Sequence, residues 1–268
     1  MMNLSQLIRI NCVSEIKRFY KKEKPMKIIT LLLPLFFVAV VLGGEYTTDR
    51  NLTLDAENIK SLKIDCGAGY LKVKGDQDAK TIEVEANIYV SRIDKDEAEE
   101  FVEKRVRLLL EQRGNHAYLE SGYDHHGSFW GRVFDDHPEV RIDLTVKVPR
   151  QIDLRVDDGS GYILIENIDG SVDLDDGSGE TTLRDIAGDV WIDDGSGELH
   201  LSNIGGDVEI DDGSGEIVVR DVGGDVRVDD GSGSIKISGV EKDVIIGDDG
   251  SGHVDITDVK GRIIRHDD

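Results

Sequence analysis

A mainly β fold, a parallel β-solenoid of the β-roll or β-helix kind with coils of about 18 residues, is predicted by three observations. The pentapeptide Asp-Asp-Gly-Ser-Gly starts at Asp157, Asp175, Asp193, Asp211, Asp229 and Asp248, with spacings of 18, 18, 18, 18 and 19 residues. That period is too short for a helical hairpin repeat. Between the copies, apolar residues alternate with polar ones, the signature of half-buried strands. An antiparallel meander of identical hairpins is the alternative arrangement of the same pattern.

Residues 1–43 read as a signal peptide with an upstream extension. The apolar run at 28–44 (IITLLLPLFFVAVVLGG) follows Arg9, Lys17, Arg18, Lys21, Lys22, Lys24 and Lys27. Met26 is a plausible start, and Val41-Leu42-Gly43 permits cleavage before Gly44. An uncleaved anchor is the other reading, but the run is short for a bilayer and contains Pro34. The whole chain carries 55 acids and 32 bases, a net charge of −23. Cleavage would remove two acids and seven bases, leaving a charge of −28 and Cys66 as the one cysteine. One cysteine makes no internal disulfide. So acidic a surface excludes nucleic acid as a partner, since phosphates require Lys and Arg.

Residues 44–150 read as an N-terminal strand module with one helix. Strands are expected at Leu62-Lys63-Ile64, at Tyr70-Leu71-Lys72-Val73 and at Thr81–Ala86. The stretch Lys63–Val73 has the layout of Arg155–Ile165, so the module opens with a degenerate copy of the repeat, in which Cys66 stands at the second Asp position. Cys66 is then a turn or strand-end residue, not a nucleophile. The helix is expected at about 95–113, with Asp94 and Glu97 as a capping box. Ala98, Phe101, Val102, Val106 and Leu109 form its apolar stripe, and Gly114 follows its last turn. Residues 121–138 read as a long loop, and Val140, Ile142, Leu144, Val146 and Val148 as one face of a strand closed by Pro149.

Residues 151–268 form the repeat. Each unit divides into two halves of nine, with five apolar residues per coil, for example Val208, Ile210, Ile217, Val219 and Val222. These fill a thin core between two short strands. Gly-Ser-Gly and Gly-Gly-Asp supply the bends.

The Asp pairs are the candidate site: Asp157 and Asp158, Asp175 and Asp176, Asp193 and Asp194, Asp211 and Asp212, Asp229 and Asp230, Asp248 and Asp249. In a parallel stack, equivalent residues lie about 4.8 Å apart. The pairs then make an acidic ladder that repels itself unless cations or water intervene. Calcium takes many oxygen ligands, and Gly-rich Asp turns at a nine-plus-nine period are the pattern of calcium-binding β-rolls. The match is partial, because here the Asp pair precedes the glycines. The competing reading is a solvated turn in which Asp bonds its own backbone.

Other constellations are weaker. Asp124, His116, His125, His126 and His137 lack a helix or hairpin to preorganise a metal site. Phe129, Trp130 and Phe134 read as a local aromatic cap. Paired aspartates also serve glycosidases on β-helices, but six equal copies oppose the one asymmetric site that catalysis needs.

Three features carry a resemblance: Asp65-Cys66-Gly67-Ala68-Gly69 in the early strand module, the alternating strand ending Leu144–Pro149, and the iterated Gly-Ser-Gly and Gly-Asp-Val steps. On these the chain resembles, over about residues 45–265, the bacterial "putative adhesin" family of exported β-strand-repeat proteins. The resemblance implies an envelope location, a β-solenoid-like fold and no catalytic residues. The expectation is therefore an exported, non-enzymatic protein of the periplasm, cell envelope or cell surface, with an adhesin-like or structural role. Its partner would be an envelope or surface component, and its contact with membrane only the signal or anchor segment. A calcium-binding β-roll module is the alternative, and a carbohydrate-active β-helix enzyme the third reading.

Overall fold

Eighteen residues suffice for two strands and two corners, and the chain uses them so. The computed structural model describes residues 45–124 and 138–266. The expected signal segment, the expected cleavage point and the aromatic and histidine positions 125–137 lie outside the described residues. Strand β7 (Asp153–Ile168) runs unbroken through the first corner of the repeat. Each later coil has a short and a longer strand. The short ones are β8 (Val172–Asp176), β10 (Val190–Asp194), β12 (Val208–Asp212), β14 (Val226–Asp230), β16 (Val244–Asp248) and β18 (Ile263–Arg265). The longer ones are β9 (Gly179–Ile186), β11 (Gly197–Ile204), β13 (Gly215–Val222), β15 (Gly233–Val240) and β17 (His253–Val259).

Equivalent strands pair in parallel and in register. Val190 pairs with Val172 on one side and Val208 on the other. On the second face Leu199 pairs with Thr181 and Ile217. This parallel pairing excludes the antiparallel meander. The fold is mainly β, a parallel solenoid of about 18-residue coils with a single helix among the described residues. Its core is one file of branched side chains per position. Ile210, Ile217, Val219 and Val228 are all essentially fully buried. The last coil differs: Val254, Ile256 and Val259 are only partly buried, and Ile263 is half exposed.

Stacking at this spacing decides the corner residues. Gly179 has φ +144, and a Cβ there would lie 1.8 Å from the carbonyl oxygen of Gly161 in the preceding coil, which no side chain tolerates. The other corner holds Asn167, Asp185, Asn203 and Asp221 in the left-handed region, with Gly239 in the next coil. Asn, Asp and Gly are the residues that accept it at least cost. The 19-residue step is absorbed as a register shift between Val228 and Asp229, so that Asp229 faces Asp248 and Gly247 is the extra residue.

The N-terminal module continues the solenoid. Strands β1 (Tyr46–Asp55), β2 (Ser61–Asp76) and β3 (Thr81–Ser91) are followed by helix α1 (Lys95–Arg105). Then come β4 (Val106–Arg113), β5 (His116–Tyr123) and β6 (Glu139–Pro149). The first half of β2 pairs in parallel with β5 and its second half with β6, while its whole length lies in register on β7, Cys66 against Asp158. That register is the one the internal sequence match implies. Antiparallel strands β3 and β1 extend the β6 side, and β4 extends the β5 side.

Helix α1 touches β1 and β4, burying Ala98 and Val102. It is shorter than the apolar stripe suggests. Residues 106–113 are a strand, because Val106–Arg113 pair antiparallel with His116–Tyr123 across a Gly114-Asn115 turn, with Gly114 at φ +67. Leu109 is accordingly 44% exposed. Asp94 sits at the N-cap without a side-chain cap bond, so the capping box does not form. The helix end is closed by Arg50, whose guanidinium donates to the carbonyls of Val102 (3.0 Å) and Val106 (3.4 Å).

Truncating a mid-array file should be costly. Ile217→Ala is expected to lower the unfolding free energy by about 2–5 kcal/mol, read from the urea midpoint; an unchanged midpoint would mean that the inward face is misassigned.

Candidate functional site

Successive residues of a strand point to opposite faces, so each Asp pair is split. Asp157, Asp175, Asp193 and Asp211 are exposed, and Asp229 is half-buried beside Arg227, whose Nη2 lies 2.7 Å from its Oδ2. Asp158, Asp176, Asp194, Asp212 and Asp230 turn inward and are buried, each at least 94%. The two sets form separate columns on either side of one sheet, in register from coil to coil. The sixth pair departs, because the register shift leaves Asp248 exposed and Asp249 half-exposed. Sequence reasoning expected one solvated ladder, and the burial of its inner half was missed. The signal was present, since a strand continuing to the second Asp must alternate.

The inward carboxylates build the turn. Asp176 Oδ1 accepts from the backbone N–H of Ser178 (3.1 Å), and Asp194, Asp212 and Asp230 accept likewise from Ser196 (3.1 Å), Ser214 (3.1 Å) and Ser232 (2.9 Å). This self-bonding turn is the Asp role that competed with calcium in the sequence. At the head of the column the Cys66 thiol donates to Asp158 Oδ1 at 3.2 Å. Burial, then the neighbouring Asp158 charge, pushes that thiol up, which fits a structural cysteine and not a nucleophile.

The second carboxylate oxygens are not treated alike. Asp176 Oδ2 accepts from the Thr181 hydroxyl at 3.2 Å. In the following coils the Thr181 position is taken by Leu199, Ile217 and Ile235. Oδ2 of Asp194, Asp212 and Asp230 is buried with no hydrogen-bond partner. Burial and the adjacent acids push the carboxyls of Asp194 and Asp212 up to about 6. Asp158 is also raised to about 6, by burial against the Cys66 bond, and Asp176 and Asp230 are raised mainly by burial. Keeping these carboxylates ionised is therefore unfavourable near neutral pH, because burial disfavours the charged form.

Glu166 shows the contrast. It is equally buried, but Arg184 bonds it through Nε at 3.0 Å, and Lys74 and Lys72 lie 3.5 and 4.0 Å away. The Arg184 bond holds its carboxyl below the usual value. Among the described residues, no cation acts on Asp194, Asp212 or Asp230.

A third file of acids escaped the sequence reading. Asp189, Asp207, Asp225 and Asp243 accept at Oδ1 from the backbone N–H one coil on, of Asp207 (2.9 Å), Asp225 (2.8 Å), Asp243 (2.8 Å) and Arg262 (2.8 Å). Their signal was the Asp-Val step at 189, 207, 225 and 243, preceded by Gly in the first three, which recurs at the same period.

No group of three or more His, Cys, Asp or Glu among the described residues is arranged to hold a metal ion. Of the twelve candidate calcium ligands, the ten at 157–158, 175–176, 193–194, 211–212 and 229–230 stand in the two columns, and the sixth pair departs from them. His116 opens β5 and Asp124 follows its last residue, and they are engaged with Ser61 and Arg107. An open cleft of about 660 Å³ between Tyr70 and Arg141 holds two carboxylates, Glu139 and Asp143. They are paired with Arg92 (3.2 Å) and Arg141 (3.3 Å), so neither is a free partner for acid–base work.

No family model and no curated protein matches the chain. Solved structures of similar outline include a "putative cell adhesion protein" from Clostridium sporogenes, at 13% identity and TM-score 0.38 over 82% of this chain and 98% of that one. A "putative lipid binding protein" from Parabacteroides distasonis aligns at 12% identity and TM-score 0.41, over 82% and 97%. A "putative adhesin" from Bacteroides fragilis aligns at 14% and 0.28, over 81% and 97%.

Two outcomes test the site. Thr181→Val leaves Asp176 Oδ2 unbonded and should cost about 1–3 kcal/mol at neutral pH, measured by urea unfolding; no loss would deny Thr181 its role. Millimolar calcium and NaCl of matched ionic strength should raise the melting temperature equally, as screening of an acidic chain does. A calcium-specific rise that Asp193→Asn with Asp211→Asn removes would establish ordered calcium sites.

Proposed function

We propose that the protein is an exported, non-enzymatic component of the cell envelope or cell surface, whose solenoid presents repeated side-chain columns to an envelope or surface partner. One observation carries the reading: the outward column Asp157, Asp175, Asp193, Asp211 and Asp229 repeats in register on one parallel sheet, flanked across the corner by Glu180, Glu198 and Glu216. A surface of this kind meets an extended partner at many equal points. It does not gather one asymmetric set of groups around a reacting atom. The partner it suits is basic or polyvalent, since like charge repels it. The basic-then-apolar segment at 1–43 supports export.

The reading is tested in producing cells. The recovered protein should begin near Gly44 or Glu45 and be labelled by a membrane-impermeant reagent on intact or outer-membrane-permeabilised cells. Protein confined to the cytosol would overturn the proposal, and an intact 26–44 segment in the membrane fraction would replace cleavage by an anchor.

A further inference from the structure

The inward column is the part of the molecule that its role as a display surface does not use. Asp194, Asp212 and Asp230 are each at least 98% buried, and each keeps one carboxylate oxygen with no partner. The elements around them supply no compensation. Across the core, β9, β11, β13 and β15 present Thr181, Leu199, Ile217 and Ile235 at the facing position, none of them titratable. Within the column Asp194 faces Asp176 and Asp212, Asp212 faces Asp194 and Asp230, and Asp230 faces Asp212; the chain neighbour of each is an outward acid, Asp193, Asp211 or Asp229. The column ends at the neutral Cys66 thiol on one side and near Asp248 and Asp249 on the other. Rungs at about 4.8 Å cannot all stay ionised in such surroundings. No metal cage is formed there among the described residues. A proton is a positive species small enough to enter.

We propose that the inward column is a proton-binding site: Asp194, Asp212 and Asp230 take up protons at Oδ2 as the coils stack, so that acid surroundings tighten the array and neutral ones loosen it. A proton converts an orphaned acceptor into a donor and removes the repulsion between rungs. Protonation leaves Oδ1 free to keep its turn bond with the Ser two residues on. The upward shift of these carboxyls agrees with the geometry. The sign follows from it. A group whose folded value lies above its unfolded one stabilises most below the unfolded value, near pH 4, and that stabilisation is lost as pH rises through the folded value, about 6 for Asp194 and Asp212.

The experiment follows the urea midpoint of the full chain between about pH 4 and about pH 7.5. The wild-type midpoint should fall as pH rises. The inward variant carrying Asp194→Asn, Asp212→Asn and Asp230→Asn keeps shape and the Oδ1 acceptor, and its midpoint should fall much less, since of the raised inward acids only Asp158 and Asp176 remain. The outward variant with Asp193→Asn, Asp211→Asn and Asp229→Asn removes the same number of charges from the same coils, and it should keep the wild-type fall. Histidines are common to all three proteins and cancel in the comparison. An inward variant that keeps the fall, or an outward variant that loses it equally, would overturn the proposal in favour of general repulsion. A neutral-pH midpoint rescued by calcium but not by matched NaCl would assign the column to a metal and also overturn it. Should the inward variant fail to fold, the wild-type chain decides alone. Unfolded by urea in weak buffer near pH 5.5, it should release protons, because the column holds them only while the coils are stacked. No release, or net uptake, would refute the site.

Discussion

In-register parallel stacking forces every residue of one coil to sit over its equivalent in the next, about 4.8 Å away. Whatever a position holds, it holds as a column. Branched apolar residues benefit, since Val190, Val208 and Val226 fill a continuous file with no polar group to satisfy. Glycine at the tight corner is obligatory, because the neighbouring carbonyl occupies the space a Cβ would need. Acids are the difficult case, for the same constraint lines up like charges.

The chain answers that difficulty in three ways. The outward column is left to water and to scattered cations such as Lys63, 3.8 Å from Asp157. The Gly-Asp-Val acids bond the backbone of the next coil, so their negative charge ties adjacent coils together. The inward column has a backbone donor for only one of its two oxygens in the coils of Asp194, Asp212 and Asp230. Glu166, surrounded by Arg184, Lys72 and Lys74, shows that the fold can satisfy a buried acid with cations. In the middle coils it satisfies only half of each.

What the sequence made legible was whatever the period encodes. The coil length, the parallel stack, the buried files of Ile210, Ile217, Val219 and Val228, and the alignment of Cys66 with Asp158 all follow from 18-residue self-similarity. Less was legible where only one copy exists. Residues 106–113 satisfy a helical stripe as well as a strand, and the partner that decides, His116–Tyr123, lies beyond the window that periodicity inspects. Asp94 makes no side-chain cap bond, and the other end of the helix is closed by Arg50, 44 residues before Asp94 and outside any local window. The Asp pairs were found but treated as one feature, because pattern reading weighed their chemistry before their pleat.

Each coil pairs only with the coil before and the coil after, while the helix and antiparallel strands close one end. Length is therefore a free variable of this architecture. Inserting or deleting one 18-residue unit changes no contact inside the remaining coils, and it moves the last coil relative to the capped end by a single step of about 4.8 Å. A one-residue change is different in kind: within a strand it would exchange the two Asp columns, and the chain tolerates its single extra residue, Gly247, at the place where the inward column stops. The molecule thus behaves as a ruler graduated in coils, on which reach can be altered while the pattern on its faces stays the same.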